Sequence, residues 1–311
     1  MFTTKSTFPS VMYHYVRDLP NTEFPEIRGI LTSKFEEQII FLKKHFSFIT
    51  VNDYAEFVQG KKILKPNSIM LTFDDGLKDH YTNVFPILKK HNIKATLYPL
   101  TNPITKKIVQ PVQKVHFLFA KIGDDKFREE YNMILKTDFG KFFDKYEVND
   151  KEIPGVNYRW DPPKVKNLKY MIGIMPDDLK NKILNKIFPL HFDDEKSFSE
   201  ELYLNKEEIK EMSEDGQEFG SHTLSHPILS SLNEEMQKEE IYESKKIIEK
   251  ILNKKINSFC YPYGKYNETT LKLVKNASYT NGIIVNPEDN TKSTNLFEIN
   301  RYDCNDIKPE D

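Results

Sequence analysis

The sequence predicts an α/β fold of parallel βαβ units, on two observations. Apolar runs of strand length alternate with helical patterns over 1–101, and the same alternation returns over 204–311. Between them, 102–203 changes character. It is rich in Lys and Asp, with scattered aromatics such as Phe117, Phe119, Phe142, Phe143 and Trp160, and Pro154, Pro162 and Pro163 break its middle. It reads as an inserted, mostly helical lobe with a loop near 150–166. The expected organisation is therefore one domain in two parts, 1–101 and 204–311, with an inserted lobe over 102–203.

The elements follow in order. Val11–Val16 is apolar and suits a first strand. Ser33 with Glu36 reads as a capping box, and Phe35, Ile39, Leu42 and Phe46 follow at helical spacing. Phe46–Thr50 reads as a short strand, and 52–59 as a helix closed by Gly60. Ser68–Phe73 is an apolar strand running into Asp74-Asp75-Gly76, followed by a helix over Val84–His91 and a strand over Ile93–Leu100. After the lobe, Asn205 and Glu208 form a cap-like pair, Gln217–Ser221 is strand-like, and a long helix spans Asn233–Leu252 with Ile241, Ile248, Ile251 and Leu252 on one face. Ser258–Pro262, Glu268–Lys275 and Gly282–Val285 read as strand, helix and strand.

Composition narrows the function. Lys and Arg total 45 against 47 Asp and Glu, so the basic excess of a nucleic-acid binder is missing. Two cysteines, Cys260 and Cys304, make no disulfide framework and read as reduced, partly buried thiols. No apolar stretch approaches the ~18 residues of a membrane span, and the N-terminus shows no secretory h-region, so a cytoplasmic location is expected.

Two constellations carry chemistry. Asp74 and Asp75 end an apolar strand, where Gly76 frees the backbone to turn and both carboxylates can reach one cleft. Carboxyl ends of parallel strands are where α/β active sites sit. His222 and His226 lie four apart after a second strand, a spacing that aims two imidazoles at one metal. Thr223 stands where a zincin would have its Glu, so this motif supplies no base of its own. Two histidines also leave a catalytic ion short of the usual three protein ligands. One aspartate can complete the ligand set while the other remains free as a base, a division that suits hydrolysis.

Taken together, Thr72-Phe73-Asp74-Asp75-Gly76 and Ser221-His222-Thr223-Leu224-Ser225-His226-Pro227 resemble the polysaccharide deacetylase family, carbohydrate esterase family 4. Phe259–Gly264 resembles its third motif, and 84–96 resembles the helix and strand that follow the aspartate pair. The resemblance implies a distorted, incomplete (β/α) barrel with a divalent metal at its C-terminal rim. The metal is usually zinc, with cobalt, nickel or manganese as alternatives. It implies Asp74 as general base, Asp75, His222 and His226 as metal ligands, and the backbone N–H of Tyr263 as an oxyanion donor, Pro262 having none. The implied substrate is an N-acetylated saccharide, and the implied reaction is removal of the acetyl group from an N-acetylhexosamine.

The chain departs from the family pattern twice. Cys260 stands where the family commonly has an Arg that steadies the base, and no histidine follows His226 to supply the usual late acid. Met12-Tyr13-His14-Tyr15 resembles the opening Tyr-His of the poly-N-acetylglucosamine deacetylase branch, which implies His14 as the acid, with His80 as its rival. Arg is scarce, occurring at Arg17, Arg28, Arg128, Arg159 and Arg301 only, and Arg301 is the candidate for the missing guanidinium, with Arg17 its competitor. Tyr13, Tyr261 and Tyr263 are candidates to stack on a sugar ring. An N-deformylase or other C–N amidohydrolase, and a non-catalytic carbohydrate-binding protein, are the alternative functions on the same fold.

Overall fold

The computed structural model describes residues 7–149 and 161–309. Trp160, Pro154 and most of the loop expected near 150–166 lie outside the described residues. The chain forms two compact units, one of 1–18, 29–107 and 199–311, the other of 19–28 and 108–198. Residues 102–107 and 199–203, grouped with the lobe by sequence, thus pack with the first unit, while 19–28 belongs to the second.

In the first unit, strands and helices alternate as β1 (Ser10–Tyr13), β2 (Val16–Arg17), β3 (Ile30–Leu31), α1 (Thr32–His45), β4 (Ser47–Ile49), α2 (Val51–Val58), β5 (Ser68–Asp75), α3 (Phe85–His91), β6 (Thr96–Pro99) and α4 (Thr101–Lys106). In the second unit come α5 (Pro111–Ile122), α6 (Asp124–Phe139), α7 (Phe143–Tyr146), α8 (Pro163–Ile174) and α9 (Asp177–Ile187), with α10 (Glu195–Leu202) leading out of it. The first unit resumes with α11 (Lys206–Glu214), β7 (Glu218–Phe219), α12 (Glu234–Leu252), β8 (Ser258–Cys260), α13 (Glu268–Asn276), β9 (Asn281–Ile283) and β10 (Tyr302–Asp303).

The strands pair in parallel in the order β10-β1-β5-β6-β7, with β4 also on β5, and β8 pairs with β9 in a separate ladder. Single bridges, Ser221 to Phe259 and Ile283 to Ile299, carry the ring from β7 through β8 and β9 back toward β10. The result is a distorted (β/α) barrel, closed by single bridges where ladders fail. Val11, Tyr13, Leu71, Phe73, Leu97 and Phe259 from the strands and Phe35, Ile39, Ile241 and Ile248 from the helices fill one buried core. The second unit has its own aromatic centre, in which Phe188 stacks on Phe192 at 4.3 Å and Phe24 meets Phe117 edge-on at 5.0 Å.

Among the described residues, capping boxes close the N-termini of three α-helices, at Thr50/Asp53, Asn205/Glu208 and Asn267/Thr270. The box expected at Ser33/Glu36 does not form. β3 runs directly into α1, Leu31 takes the cap position without a side-chain bond, and Ser33 lies inside the first turn. Glu36 instead accepts from Lys90 at 2.8 Å and faces the His91 ring at 3.1 Å. The expected first strand also breaks, because His14 and Tyr15 separate β1 from β2.

Candidate active site

β5 runs through both aspartates instead of stopping before them. Alternation would send Asp74 and Asp75 to opposite faces. Asp75 escapes this by taking a left-handed conformation, φ 71°, followed by Gly76 at φ 68°. A side chain at Gly76 would meet Pro99 Cβ at 2.6 Å, so glycine is required there by contact as well as by φ.

The two histidines are positioned by β7 and its neighbours. Gly220 lets the chain pass Tyr98 and Ser258, where a Cβ would lie 2.4 Å from the Tyr98 ring. Ser221 then bonds its N–H to Ser258 O at 3.1 Å and accepts from Cys260 N at 2.9 Å. His222 Nδ1 donates to the Cys260 carbonyl at 2.8 Å, which leaves the Nε2 lone pair for a metal. Burial lowers the pKa of His222, despite the opposing charges of Asp74 and Asp75, and favours the neutral, ligating form. The loop to His226 is strained. Thr223 has φ 73° and His226 φ 62°, conformations that cost ~1–3 kcal/mol each and persist only where neighbours impose them. The Thr223 hydroxyl accepts from His226 N at 3.0 Å. Glu240, reaching over from α12, accepts from Leu224 N at 2.8 Å, Ser225 N at 3.0 Å and Ser225 Oγ at 2.5 Å.

Asp75 Oδ1 stands 3.7 Å from His222 Nε2 and 3.7 Å from His226 Nε2, with all three residues buried. Ligands about a tetrahedral zinc at roughly 2.0–2.1 Å lie ~3.3 Å apart, so a few tenths of an ångström of contraction would seat an ion. The donor set, two imidazoles and a carboxylate, is that of a catalytic site with one position open. Asp74, His222 and Cys260 form a second close group. A guanidinium inserted beside it, that of Arg301, makes it a poor place for a cation.

Arg301 is 1 % exposed. Its Nη1 donates to Asp74 Oδ1 at 2.8 Å and to Thr72 Oγ1 at 3.1 Å, its Nε donates to Ile284 O at 3.0 Å, and its Nη2 donates to Cys260 Sγ at 3.3 Å. The Cys260 thiol in turn donates to Asp74 Oδ2 at 3.5 Å. Burial works to raise the Asp74 pKa, but Arg301, His222 and His14 overcome it and hold the carboxyl well below the usual range. Burial pushes the Cys260 thiol up, so it stays protonated as a donor. Arg17 is engaged elsewhere, bonding Asp79 at 2.6 Å.

β1 and β5 pair Tyr13 with Phe73, which brings the next residues, His14 and Asp74, alongside each other. His14 Nε2 lies 4.0 Å from Asp74 Oδ2, with 39 % of its side chain exposed. His80 is fully buried, and its Nε2 is bonded to the His14 carbonyl at 2.9 Å. Burial drives the His80 pKa down to about 4. Tyr263 follows Pro262 in a tight turn, φ 57°, and its ring lies 4.5 Å from that of His226. Of the three tyrosines expected to stack on a sugar, Tyr13 and Tyr261 are fully buried and pack in the core; Tyr263 alone is exposed, at 39 %.

The sequence profile of the family described as polysaccharide deacetylase matches residues 61–133 and 167–282, more than half of the chain. The chain belongs to the polysaccharide deacetylase family. Among curated relatives, YxkH of Bacillus subtilis is 20% identical over 294 residues, covering 94% of this chain and 70% of that protein. The poly-β-1,6-N-acetyl-D-glucosamine N-deacetylase of Staphylococcus epidermidis is 27% identical over 207 residues, 58% of this chain and 70% of the relative. Among solved structures, the deacetylase PplD of Streptococcus pyogenes superposes with a TM-score of 0.59 at 19% identity, covering 96% of this chain and 93% of the other. IcaB from Ammonifex degensii gives 0.58 at 16% identity, covering 95% and 91%. At these identities the structural matches establish the fold.

Within this member of the polysaccharide deacetylase family, sequence reasoning missed two groups. Glu240 sits on an amphipathic helix with nothing in its spacing to mark it. Asp79 and Asn83 carried no sequence signal, yet both bond the segment that carries His14, at Val16 N (3.2 Å) and Val16 O (2.7 Å). The strained φ values at Asp75, Thr223, His226 and Tyr263 were also invisible, since none is the glycine that usually marks them. Among the described residues, no helix is long and apolar enough to cross a membrane.

Proposed function

We propose that this protein hydrolyses the N-acetyl amide of an N-acetylhexosamine in a saccharide, with zinc as the working metal. The observation that carries the reading is a charged, guanidinium-braced carboxylate, Asp74, adjoining a buried trio of Asp75, His222 and His226 with the donor chemistry of a catalytic metal site. A binding protein needs no such base. A divalent ion held by the trio would act as a Lewis acid on the acetyl carbonyl and lower the pKa of water at the site toward ~7.

The residues divide the remaining work. Asp74, ionised throughout the neutral range, accepts the proton of the attacking water. Arg301 holds that carboxylate at Oδ1, leaving Oδ2 on the side of His14. The backbone N–H of Tyr263 supports the charge that develops on the carbonyl oxygen. His14 delivers a proton to the sugar nitrogen, because an amine leaves poorly as an anion. The exposed Tyr263 ring offers an apolar face to the sugar. The relatives named for poly-β-1,6-N-acetylglucosamine make that polymer a first choice of substrate.

The test is acetate release by protein loaded in turn with zinc, cobalt, nickel or manganese. The panel holds β-1,6- and β-1,4-linked N-acetylglucosamine oligomers, N-acetylated nucleotide sugars, N-formyl sugars and small cyclic amides. Acetate from a saccharide supports the reading. Turnover restricted to formyl or cyclic amides, or none with any metal, refutes it.

A further inference from the structure

β1 ends at Tyr13 and β2 begins at Val16, so His14 and Tyr15 lie outside both ladders. The β1–β5 register stops at Tyr13 and Phe73. A proton donor on such a segment, with its side chain 39 % exposed, needs something other than sheet hydrogen bonds to hold its direction. Ile30 N donates to Tyr15 O at 3.0 Å, and a second set of bonds comes from one place. The turn after β5 leads into a π-helical stretch, His80–Val84, and three side chains on it or at its cap, Asp79, His80 and Asn83, bond the backbone or side chains of 14–17. His80 Nε2 meets His14 O at 2.9 Å. Asp79 Oδ2 accepts from Val16 N at 3.2 Å and from Arg17 Nε at 2.6 Å. Asn83 Nδ2 donates to Val16 O at 2.7 Å.

We propose that His80, assisted by Asp79 and Asn83, is a positioning residue that fixes His14 for proton donation, an inference that rests on the reading of His14 as the acid. A carbonyl oxygen only accepts, so the bond to His14 O requires the proton on His80 Nε2. Burial keeps this ring neutral, which preserves that tautomer across the working range. The ring is wedged edge-on against Phe73 at 5.4 Å, so its own orientation is set by the β5 core. π-helical turns inside α-helices are rare and concentrate at functional sites. Here the stretch begins five residues after Asp75. The same run of backbone therefore ends in the base and metal ligand on one side and in the bracket for the acid on the other. Any shift of β5 carries Asp74 and His14 together, which keeps the two proton-transfer groups in register.

The arrangement also removes His80 as an acid. Its only proton is committed to the His14 carbonyl, and the ring is fully buried.

The experiment compares metal-loaded wild type, His14→Ala, His80→Phe, His80→Gln, Asn83→Ala and the His14→Ala/His80→Phe double variant on two substrates. One is an N-acetylglucosamine oligomer, whose nitrogen must be protonated to leave. The other is 4-nitrophenyl acetate, whose phenolate leaves without help. His80→Phe is expected to lower kcat on the oligomer by roughly 10- to 10²-fold, the effect of a small misplacement of a catalytic group. Its effect on the ester should be far smaller, metal content should be unchanged, and the loss should vanish in the His14→Ala background. His80→Gln, which keeps a donor, should recover part of the oligomer rate, and Asn83→Ala should show the same substrate selectivity at smaller size. Equal losses on both substrates would make His80 merely structural and overturn the proposal. If His80→Phe does not fold, His80→Gln and Asn83→Ala carry the same comparison. A His14→Ala variant with normal oligomer turnover overturns the acid assignment and this inference with it, while leaving the deacetylase reading standing.

Discussion

Arg301→Met removes a buried guanidinium and leaves Asp74 charged and enclosed, with both side chains only a few per cent exposed. Breaking a buried pair from one side costs about 3–5 kcal/mol, because the remaining charge is left uncompensated. For a unit of about 200 residues, each kcal/mol corresponds to roughly 2–4 °C, so a fall in Tm on the order of 10 °C is expected. The pH dependence follows with a definite sign. Asp74 titrates below its unfolded value near ~3.9. The pair therefore adds stability at pH values above about 4, and the gain is lost as pH falls through the folded value. In Arg301→Met, burial is opposed less, the Asp74 pKa rises, and the acid limb of the pH–rate profile moves to higher pH. Arg301→Lys should rescue little, because one ammonium cannot reach Asp74, Thr72, Cys260 and Ile284 together. Asp74→Asn combined with Arg301→Met should be less destabilised than Arg301→Met alone. The assay is thermal melting of metal-free protein from pH 4 to 8, beside pH–rate profiles of the metal-loaded forms. An Arg301→Met variant that melts within about 2 °C of wild type, with an unmoved acid limb, would refute the reasoning, since that shift is under ~1 kcal/mol.

Three further predictions stand on the same geometry. Asp74→Asn should keep its metal and lose roughly 10²–10⁴ in rate, the range for a general base; loss of the metal would show that the two aspartates are reversed. Purified protein should hold about one divalent ion, as one set of three protein ligands allows. Ala at Asp75, His222 or His226 should abolish most of that binding, and full occupancy in the His222→Ala/His226→Ala double variant would sink the site. Glu240→Ala should weaken metal affinity by about 10- to 100-fold, as loss of an outer-shell partner does, because the loop between the histidines loses its triple acceptor; calorimetric titration with zinc that shows no change would assign the loop's shape to Thr223 and the strand bridges instead.

Local patterns in the sequence determined much of what this protein is. Apolar runs of strand length and period-3.6 apolar patterns located most of the strands and helices of the first unit within a few residues, because burial leaves its mark in the residues themselves. Asp74-Asp75 and His222-x-x-x-His226 were legible as chemistry because their residue types are unusual at strand ends. Where a local signal competed with its surroundings it misled: Ser33 and Glu36 have the letters of a capping box, but β3 feeding α1 left no room for a cap.

The tertiary structure alone decided what depends on distant backbones meeting. Arg301 lies 227 residues from Asp74 in sequence, and the ring of parallel strands puts their side chains 2.8 Å apart. Scarcity of arginine could suggest it; only the closed ring could select it over Arg17, which Asp79 holds. His14 was favoured by its Tyr-His context with His80 as its rival, and what the fold adds is the burial of His80 and its hydrogen bond to the His14 carbonyl. Glu240 carried no signal because a carboxylate on a helix surface looks the same whether it faces water or three donors. The left-handed turns at Asp75, Thr223 and His226 belong to the same class. Their strain is imposed by strand ends, bridges and Glu240 converging from separate parts of the chain, and no local sequence encodes a conformation that its own residues disfavour.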